Sequence, residues 1–534
     1  MQRILDHFVF RRATVVALVV CALGLTAAAG VGTAATPRKG GTLTFALDRD
    51  AGCVDPQQSP WSTVQITSRP VLDSLIVRDP KTGDFKPWLA TKWKISDNAR
   101  TFTFTLRRGV TFSDGKPLNA AAVKANFDRI VNPATKSTFS LEFLAGYRGT
   151  SIKGDTLTVH FEHSNSGFLN AASTAFLGIE SPATFAAGPA ATCQKIVGSG
   201  PYTLTSYTPQ KGMTLTRRPG YAWGPATAAN KGVARLDKID FRILPENGVR
   251  VASLKNGDVD AIANVPPRQV PSLKRSGATV LRKLQPGLPY SLVLNQQRAP
   301  FNQINARKAV RAAIDQDAIS KSIYQLQYPA AHGVIGHATP GYDKSFDKLK
   351  SYDPKLANKL LDGLGYTKRD GDGYRVKDGK RLTIDWPVLT PAQYQRDVVA
   401  QLIQQQLKAI GIQAVLRPVP VFATTSLRAS GNYGLLDPQI IRGDPSIISS
   451  ASGTTSIGRV ANKQLQALLT EGRQTIGTAK RNAVYAKAQK VAYDTVQWIS
   501  VVDVVYLLGQ SKKVNGITFD AEGYPQFYDA WLAG

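Results

Sequence analysis

The sequence predicts a multi-domain protein of the α/β class. From Gly198 onward, predicted strands and predicted helices alternate along the chain. Such alternation is typical of βαβ units. Between about residues 75 and 200, strands and hairpins dominate instead, which indicates a separate inserted domain. The length of 534 residues leaves room for about two to four domains.

The first elements are strands and one capped helix. A strand is predicted over 39–47, after a pair of glycines, and residues 100–107 alternate strictly between polar and apolar side chains. Asn119 is placed to cap a helix that extends to Ile130. A further alternating strand covers 156–161. These patterns predict a strand-rich first part of the chain.

In the second half, helices and strands alternate. Helices are predicted over 249–255, 305–324, 394–410 and 478–496. Another begins after Asp353, where Pro354 favours the first helical turn. Strands are predicted over 290–294, 382–388, 412–416 and 499–508.

The first 35 residues have the pattern of a secretory signal peptide. Three arginines among the first twelve residues precede an apolar core over 15–25, and small residues follow it. This core is shorter than the roughly 20 residues that span a bilayer. We therefore expect export to the periplasm or to the outer face of the cell membrane. A retained anchor, a twin-arginine signal and a lipid attached to Cys21 stay as alternatives.

The chain is strongly basic, with 66 Lys and Arg against 38 Asp and Glu and a formal net charge of +28. Such an excess can indicate nucleic-acid binding. Here, however, the basic residues are scattered, and no run of five or more occurs. We expect no nucleic-acid partner. An exported protein that works near anionic lipid or wall polymer fits the charge at least as well.

The sequence lacks the common catalytic motifs. It has no nucleotide-binding P-loop, no Gly-x-Ser-x-Gly nucleophile motif and no His-Glu-x-x-His zinc motif. Two histidine pairs, His160 with His163 and His332 with His337, are candidate metal ligands. Solvated or hydrogen-bonded histidines are the simpler interpretation. We therefore expect no enzyme, no cofactor and no metal site.

Several runs, taken together and in order, resemble one known family. The most specific covers 92–123, and others cover 196–202 (IVGSGPY), 254–260 (LKNGDVD) and 310–315 (VRAAID). On these runs the chain resembles the extracellular solute-binding proteins of the peptide/nickel class, family 5. These are the receptors of ATP-binding-cassette importers. The resemblance covers about residues 40–531, nearly the whole mature chain.

The resemblance implies a periplasmic-binding-protein-like fold of type II, cluster C, with two lobes joined by a hinge and an inserted third domain. Domain I would comprise 36–74, 203–289 and 506–534, domain II 75–202, and domain III 290–505. Ligand would be enclosed between domains I and III by hinge closure. In an oxidising compartment Cys53 and Cys193 can pair or remain two buried thiols. The implied layout could bring them together, which favours the disulfide.

The resemblance also suggests ligand-facing residues. One expected wall follows the first strand and offers Gln57, Gln58, Ser59 and Trp61. Domain III offers Tyr290 and Trp386, each of which could equally be a core residue, and the loop residues Gln439, Arg442 and Asp444.

The loop before Asp444 departs from the family pattern. Peptide receptors of this family usually present an Asp for the ligand's amino group three residues before the position of Asp444, and here Ile441 stands there. Arg442 could instead bind a carboxylate or another anionic group. The alternative is a solvated loop arginine.

The function implied is that of an exported receptor that captures oligopeptides between two lobes and delivers them to an importer. We expect a monomer that contacts the membrane through the permease subunits. Alternative ligands are a nickel chelate, which would depend on His332 or His337, a glycoside, which would stack on Trp61 or Trp386, and a small signalling compound. An enzyme on the same fold is a third class, and it lacks a nucleophile motif.

Overall fold

The structure is a computed structural model that describes residues 37–390, 392–420 and 423–534. The signal peptide predicted over 1–35 lies outside the described residues. The domain boundaries implied by the resemblance stay a prediction.

The largest sheet has seven strands and draws them from both ends of the chain. In spatial order they are Thr279–Leu284, Val505–Gln510, Ala261–Ile262, Thr42–Leu47, Lys238–Ile243, Gly212–Arg217 and Tyr202–Thr208. Thr42–Leu47 is parallel to both of its neighbours, and the other pairs are antiparallel.

The first strand positions the residues that follow it. Gly40 and Gly41 have φ of 104° and 86°, a conformation that favours glycine. The chain then enters Thr42–Leu47, whose Leu43, Phe45 and Leu47 are fully buried. Because the strand is central and parallel to its neighbours, the residues after it emerge at the carboxyl edge of the sheet, where α/β proteins commonly bind ligands.

The 75–202 segment forms a four-stranded antiparallel sheet. Its strands are, in spatial order, Ala90–Ser96, Thr101–Leu106, Thr156–Phe161 and Tyr147–Lys153. In Thr101–Leu106 every second side chain is buried, as the alternating pattern predicts. The inward side chains join the core beneath the helix Ala120–Val131, whose first turn is capped by Asn119 through the amide of Ala122 at 3.0 Å.

The remaining sheets are small. Two have three strands: Leu435–Leu436 with Tyr290–Leu294 and Ile499–Val502, and Lys368–Arg369 with Arg375–Lys377 and Lys380–Arg381. Five are strand pairs: Thr383–Thr390 with Gln413–Pro420, Gly287–Leu288 with Ile440–Ile441, Ile76–Arg78 with Phe85–Pro87, Val514–Asn515 with Trp531–Leu532, and Thr518–Phe519 with Pro525–Gln526. Of these five pairs only the first is parallel.

Helices cover the sheets. The α-helices of the described residues are Ser62–Ser68, Ala120–Val131, Phe139–Phe143, Phe168–Ala171, Pro189–Thr192, Asn247–Asn256, Val270–Arg275, Ile304–Ala313, Gln316–Ser322, Pro354–Gly363, Arg396–Ala409, Thr424–Ser430, Ile448–Ala451, Lys463–Gln474 and Thr478–Asp494. As predicted, Pro354 occupies the first turn of its helix, and the Asp353 side chain caps it through the amide of Leu356 at 2.9 Å.

The prediction of one helix over 305–324 is wrong. The structure has two helices, Ile304–Ala313 and Gln316–Ser322. Ile314 between them is extended, with φ of −99° and ψ of 120°, and the side chain of Asp315 accepts from the amide of Ala318 at 2.8 Å. An N-cap inside an apolar periodic run therefore starts a new helix, although the hydrophobic period continues.

The prediction of one strand over 499–508 is also wrong. Ile499–Val502 pairs with Tyr290–Leu294, whereas Val505–Gln510 belongs to the seven-stranded sheet. Between them, the amide of Asp503 donates to the carbonyl of Pro329 at 2.9 Å, outside both sheets. One apolar run therefore serves two sheets, which hydrophobicity alone does not reveal.

Candidate functional site

A group of charged and aromatic side chains gathers where the first strand ends. We call it the inner cluster and define it as Asp48, Arg49, Tyr290, Tyr394, Arg396 and Asp437. It joins the loop after Thr42–Leu47 to the start of the helix Arg396–Ala409 and to the loop after Leu435–Leu436.

Asp48 connects the two sides of the inner cluster. Its Oδ1 accepts from the side-chain amide of Asn264 at 3.0 Å, and its Oδ2 accepts from the side-chain amide of Gln393 at 3.0 Å. Gln393 lies 345 residues further along the chain. The Nε of Arg49 lies 3.9 Å from Asp48 Oδ2, beyond hydrogen-bond distance.

Unusual backbone angles position Arg396. The two residues before it, Tyr394 and Gln395, have φ of 55° and 56°, in the left-handed region that non-glycine residues rarely adopt. The hydroxyl of Tyr324 donates to the carbonyl of Tyr394 at 2.7 Å and supports this turn. The helix predicted from 394 consequently begins at Arg396. Such backbone strain concentrates at binding sites.

Arg396 is held by polar and aromatic contacts on one side. Its Nη2 donates to Gln439 Oε1 at 2.8 Å, and its guanidinium lies 5.3 Å from the centre of the Tyr290 ring. The Tyr290 hydroxyl donates to Asp437 Oδ2 at 3.0 Å. The side chain of Asp437 is 4% exposed, so this carboxylate is out of bulk water.

Burial shifts the protonation of these groups. Desolvation lowers the pKa of Arg49, Asp48 and Tyr394 oppose this effect, and the positive charge of Arg396 makes a smaller lowering contribution. Desolvation likewise raises the pKa of Asp437, although Arg396 opposes that effect. Burial and the charge of Asp48 raise the pKa of Tyr394 to about 12. The inner cluster therefore holds two guanidinium groups that feel each other's charge.

Several donors in this region lack an acceptor. The Nε atoms of Arg49 and Arg396 and the hydroxyl of Tyr506 are buried without a hydrogen-bond partner within the described part of the chain. Burial raises the pKa of Tyr506, and the charges of Asp48 and Tyr394 raise it further, so Tyr506 lies near the inner cluster. Buried polar groups are normally paired. A bound molecule that offers acceptor oxygens would satisfy these donors.

A separate cavity of about 450 Å³ lies between the 75–202 segment and the loop and helices over 442–481. We call it the Arg442 cavity. Its wall includes Glu142, Asn165 and Asn170 on one side and Arg442, Arg473 and Arg481 on the other.

Arg442 is not the solvated loop residue that the sequence left open, because it is only 7% exposed. Its Nη2 donates to Glu142 Oε2 at 2.9 Å, and its guanidinium lies 4.9 and 5.0 Å from the ring centres of Phe139 and Phe143. Arg442 thus holds its loop against the helix Phe139–Phe143.

Asp444 forms a two-point ion pair with Arg481. The Nη1–Oδ2 and Nη2–Oδ1 distances are 2.7 and 2.8 Å. This pair holds the pKa of Asp444 well below its usual range, despite burial, and raises that of Arg481. Asp444 therefore has an internal partner and lines the Arg442 cavity, and its role as a ligand-facing residue stays a prediction.

The structure places Gln57, Gln58 and Ser59 away from the inner cluster. The amide nitrogen of Gln57 donates to Asn126 Oδ1 at 2.6 Å and to the carbonyl of Gly178 at 3.1 Å. The amide of Gln58 donates to Asp55, Pro189 and Thr192. The Ser59 hydroxyl bonds back to Ala51. The side chains of Gln57 and Gln58 thus fasten the first-strand loop to the 75–202 segment, and the assignment of residues 57–59 to a ligand wall stays a prediction.

The other predicted residues divide between core and site. Trp386 is fully buried in the strand Thr383–Thr390, so it offers no face to a glycoside. Trp61 precedes the helix Ser62–Ser68 and is partly buried. Tyr290 and Gln439 both contact Arg396, so the structure brings these two together.

Sequence reasoning missed Asp48, Arg49, Tyr394 and Arg396. Asp48 and Arg49 directly follow the predicted first strand. Their position at the carboxyl end of a strand could have marked them as candidate ligand-binding residues. No comparable signal marks Arg396, because its role depends on the left-handed turn before the helix.

His332 and His337 both lie next to carboxylates. His337 contacts Asp503 through Nδ1 and Asp347 through Nε2, the latter at 2.8 Å, so both ring nitrogens are engaged. His332 Nε2 lies 3.4 Å from Asp317. Among residues 37–390, 392–420 and 423–534, no group of three or more His, Cys, Asp or Glu side chains could hold a metal ion.

Two further features concern the cysteines and the lengths of the helices. Cys53 and Cys193 form a disulfide, the pairing that the implied domain layout favours, and their Cα atoms lie 4.3 Å apart. Of the helices in the described ranges, none is sufficiently long and apolar to cross a membrane.

The profile of the bacterial extracellular solute-binding proteins, family 5 (middle region), matches residues 84–452, more than half of the chain. The protein therefore belongs to this family. Its fold is that of the type II periplasmic binding proteins, and its role is that of a receptor that delivers a solute to an ATP-binding-cassette importer. Family members act outside the cytoplasm, bind peptides or other small molecules and pair with permease subunits.

Relatives of known ligand are similar along most of their length. Heme-binding protein A of Haemophilus influenzae is 25% identical, and the match covers 88% of each chain. Glutathione-binding protein GsiB of Escherichia coli K12 is 25% identical over 92% of this chain and 94% of its own. The oligopeptide-binding protein AppA of Bacillus subtilis, solved with a nonapeptide, superposes with a TM-score of 0.80 at 18% identity, covering 93% of this chain and all of AppA.

Proposed function

We propose that this receptor captures a small peptide or peptide-like solute through a carboxylate that bridges Arg49 and Arg396. The observation that carries the proposal is the pair of buried Nε donors without acceptors, one on each side of the inner cluster. A ligand carboxylate offers two oxygens in the geometry that guanidinium groups prefer.

The charges favour the same ligand. The charge of Arg396 disfavours the charged form of Arg49, whereas Asp48, whose two oxygens also accept from the side-chain amides of Asn264 and Gln393, favours it. An anionic group between the two arginines would reduce this unfavourable effect of Arg396. Because the two arginines come from distant parts of the chain, such a ligand would also hold the two sides together.

The opposite end of the ligand has a different environment from that expected of the family. Ile441, which occupies the position of the usual Asp, pairs with Gly287 in a short strand pair. The carboxylate of Asp437 lies next to Tyr290 and Arg396 instead. A ligand amino group would therefore meet Asp437 rather than residue 441.

Peptide ligands fit these features better than the alternatives. GsiB is named for glutathione, a peptide with free carboxylates, and AppA was solved with a peptide. The nickel-chelate alternative expected a role for His332 or His337. Carboxylates engage both ring nitrogens of His337. The Nε2 of His332 lies 3.4 Å from Asp317, and its Nδ1 has no hydrogen-bond partner within the described residues. The glycoside alternative expected stacking on Trp61 or Trp386. Trp386 is fully buried, whereas Trp61 is partly buried.

The proposal also covers the setting in which the protein acts. The chain would be exported by its N-terminal signal to the periplasm or the outer face of the cell membrane. It would act as a monomer, without turnover of its ligand, and contact the membrane through the permease subunits.

Native mass spectrometry of the mature protein, purified gently from its own source, tests the ligand class. We expect bound masses that fragment into amino-acid residues. A single non-peptide mass would instead establish one of the alternative ligands and overturn the peptide assignment.

Arg49→Gln and Arg396→Gln test the site. Each should weaken binding of the copurifying ligand about ten- to hundredfold, the usual cost of losing a hydrogen bond to a charged group. Calorimetric titration of the stripped protein with the identified ligand measures this. Arg275→Gln, on the exposed end of the helix Val270–Arg275, is the matched control. Unchanged affinity in both cluster variants would remove the carboxylate bridge.

A further inference from the structure

We propose that the Arg442 cavity is a second binding site, for a small dianion, and that it is independent of the solute held by the inner cluster. Nothing in the receptor role requires such a site. The inference stands on the cavity's own residues, none of which belongs to the inner cluster.

The cavity has the size and the walls of a small-molecule site. Its volume of about 450 Å³ lies within the range of about 300–1,000 Å³ typical of ligand pockets. Its wall combines apolar surface with polar side chains. Hydroxyl and amide side chains, including Asn165, Ser446, Ser449 and Thr470, stand beside the charged residues.

The charged groups of the wall favour an anion. Three guanidinium groups, those of Arg442, Arg473 and Arg481, face two carboxylates. Each carboxylate is already engaged, because Glu142 accepts from Arg442 and Asp444 accepts twice from Arg481. One of the three guanidinium groups therefore has no carboxylate partner in the wall.

That group is Arg473. Its guanidinium donates to the hydroxyl of Thr470 at 3.0 Å, and within the described residues it forms no ion pair. The backbone around it is fixed, since the carbonyl of Arg473 accepts from the amide of Ser166 at 3.1 Å. Arg473 is therefore a positioned cation on the cavity wall.

Arg442 supplies a second donor. This side chain is 7% exposed and lines the cavity, and its Nε is buried without a partner in the part of the chain that the structure describes. Buried donors of this kind are rarely left unpaired. A dianion that accepts hydrogen bonds from both Arg442 and Arg473 would pair the buried Nε of Arg442 and neutralise the charge of Arg473.

A bound dianion would join two distant parts of the chain. Glu142 and Asn170 belong to the 75–202 segment, whereas Arg442 and Arg473 lie about 300 residues later. The Ser166 hydroxyl already bridges to the carbonyl of Gly472 at 3.0 Å. Occupancy of the cavity would therefore strengthen the contact between the segment and the 442–481 region.

Calorimetric titration of the mature protein tests the proposal. The probes are inorganic phosphate and succinate, each compared with sodium chloride at equal ionic strength. We expect saturable binding of at least one dianion and none of chloride. Binding of phosphate alone defines a phosphate-type site, and binding of succinate alone defines a dicarboxylate site. The absence of saturable binding with both probes would overturn the proposal.

Variants assign the site. Arg473→Gln should weaken dianion binding at least tenfold, and Arg442→Gln should do the same. Arg473 is partly exposed, so its variant tests the site even where Arg442→Gln fails to fold. Arg275→Gln and Arg396→Gln should leave dianion affinity unchanged. Equal affinity in wild type and Arg473→Gln would place any binding elsewhere. A loss in Arg396→Gln alone would assign it to the inner cluster.

Discussion

Glu180 is fully buried beside Asp55 and Arg129, and a side-chain hydrogen bond joins its carboxyl group to that of Asp55. Burial raises the pKa of Glu180 well above its usual value, and the charge of Asp55 adds to this effect while Arg129 opposes it. Arg129 conversely holds the pKa of Asp55 below its usual range, against desolvation. The folded protein therefore keeps a proton on Glu180 that the unfolded chain releases.

This difference predicts how stability depends on pH. Because the pKa of Glu180 is higher in the folded state, its contribution is complete below about pH 4.5 and is lost as pH rises towards the folded-state pKa, by about 1.4 kcal/mol per pH unit. Glu180→Gln carries a permanently neutral group and should lose less stability between pH 5 and 7. Urea unfolding at several pH values measures this. The exposed Glu471→Gln is the control, and a steeper loss in Glu180→Gln would refute the assignment.

Single residues also show where prediction from the sequence ends. Residues 57–59 have the polar side chains expected of a ligand-binding wall. Their hydrogen-bond partners, however, lie about 70 to 130 residues away, and the local sequence pattern does not predict such contacts. The site residues Asp48 and Arg49 stand ten positions earlier, directly at the strand end. Composition indicated a polar wall after the first strand, and only tertiary contacts decide which polar side chains remain free.

At the scale of elements, periodicity predicted most helices and strands but not their interruptions. The caps at Asn119 and Asp353 were readable, because each precedes an apolar run. Asp315 was not, because it stands inside one. Likewise the apolar run 499–508 divides at Asp503 between two sheets. The division depends on the strands that pair with each half, which the hydrophobicity of the run does not indicate.

The Asp315 cap predicts a specific loss. Asp315→Ala removes the acceptor for the amide of Ala318 and should lower the free energy of unfolding by about 1 kcal/mol. Asp315→Asn keeps a capping oxygen and should cost little. Thermal or urea unfolding of both variants measures the difference. Equal losses in the two variants would show that the carboxylate acts through its charge and not as a cap.

At the scale of the whole molecule, the described chain buries several hydrophobic cores, one of them within the 75–202 segment and others around the seven-stranded sheet and the later helices. The resemblance predicted an inserted segment but could not show what fastens it. The structure shows polar contacts from the first-strand loop, among them Gln57 with Asn126, and a covalent one, Cys53 with Cys193.

The disulfide closes a long loop and should therefore stabilise the molecule through the unfolded state. Its cysteines are 140 residues apart, and a loop of that length loses much conformational entropy when it is closed. Replacing both cysteines by serine should lower the free energy of unfolding by about 2–4 kcal/mol. Urea unfolding with and without dithiothreitol measures this, since reductant should destabilise the wild type to the level of the double variant and leave that variant unchanged. A wild type that is equally stable in reductant, with both thiols shown to be free, would assign the fastening of the segment to its non-covalent contacts, among them those of Gln57 and Gln58 and the Arg129–Asp55 pair.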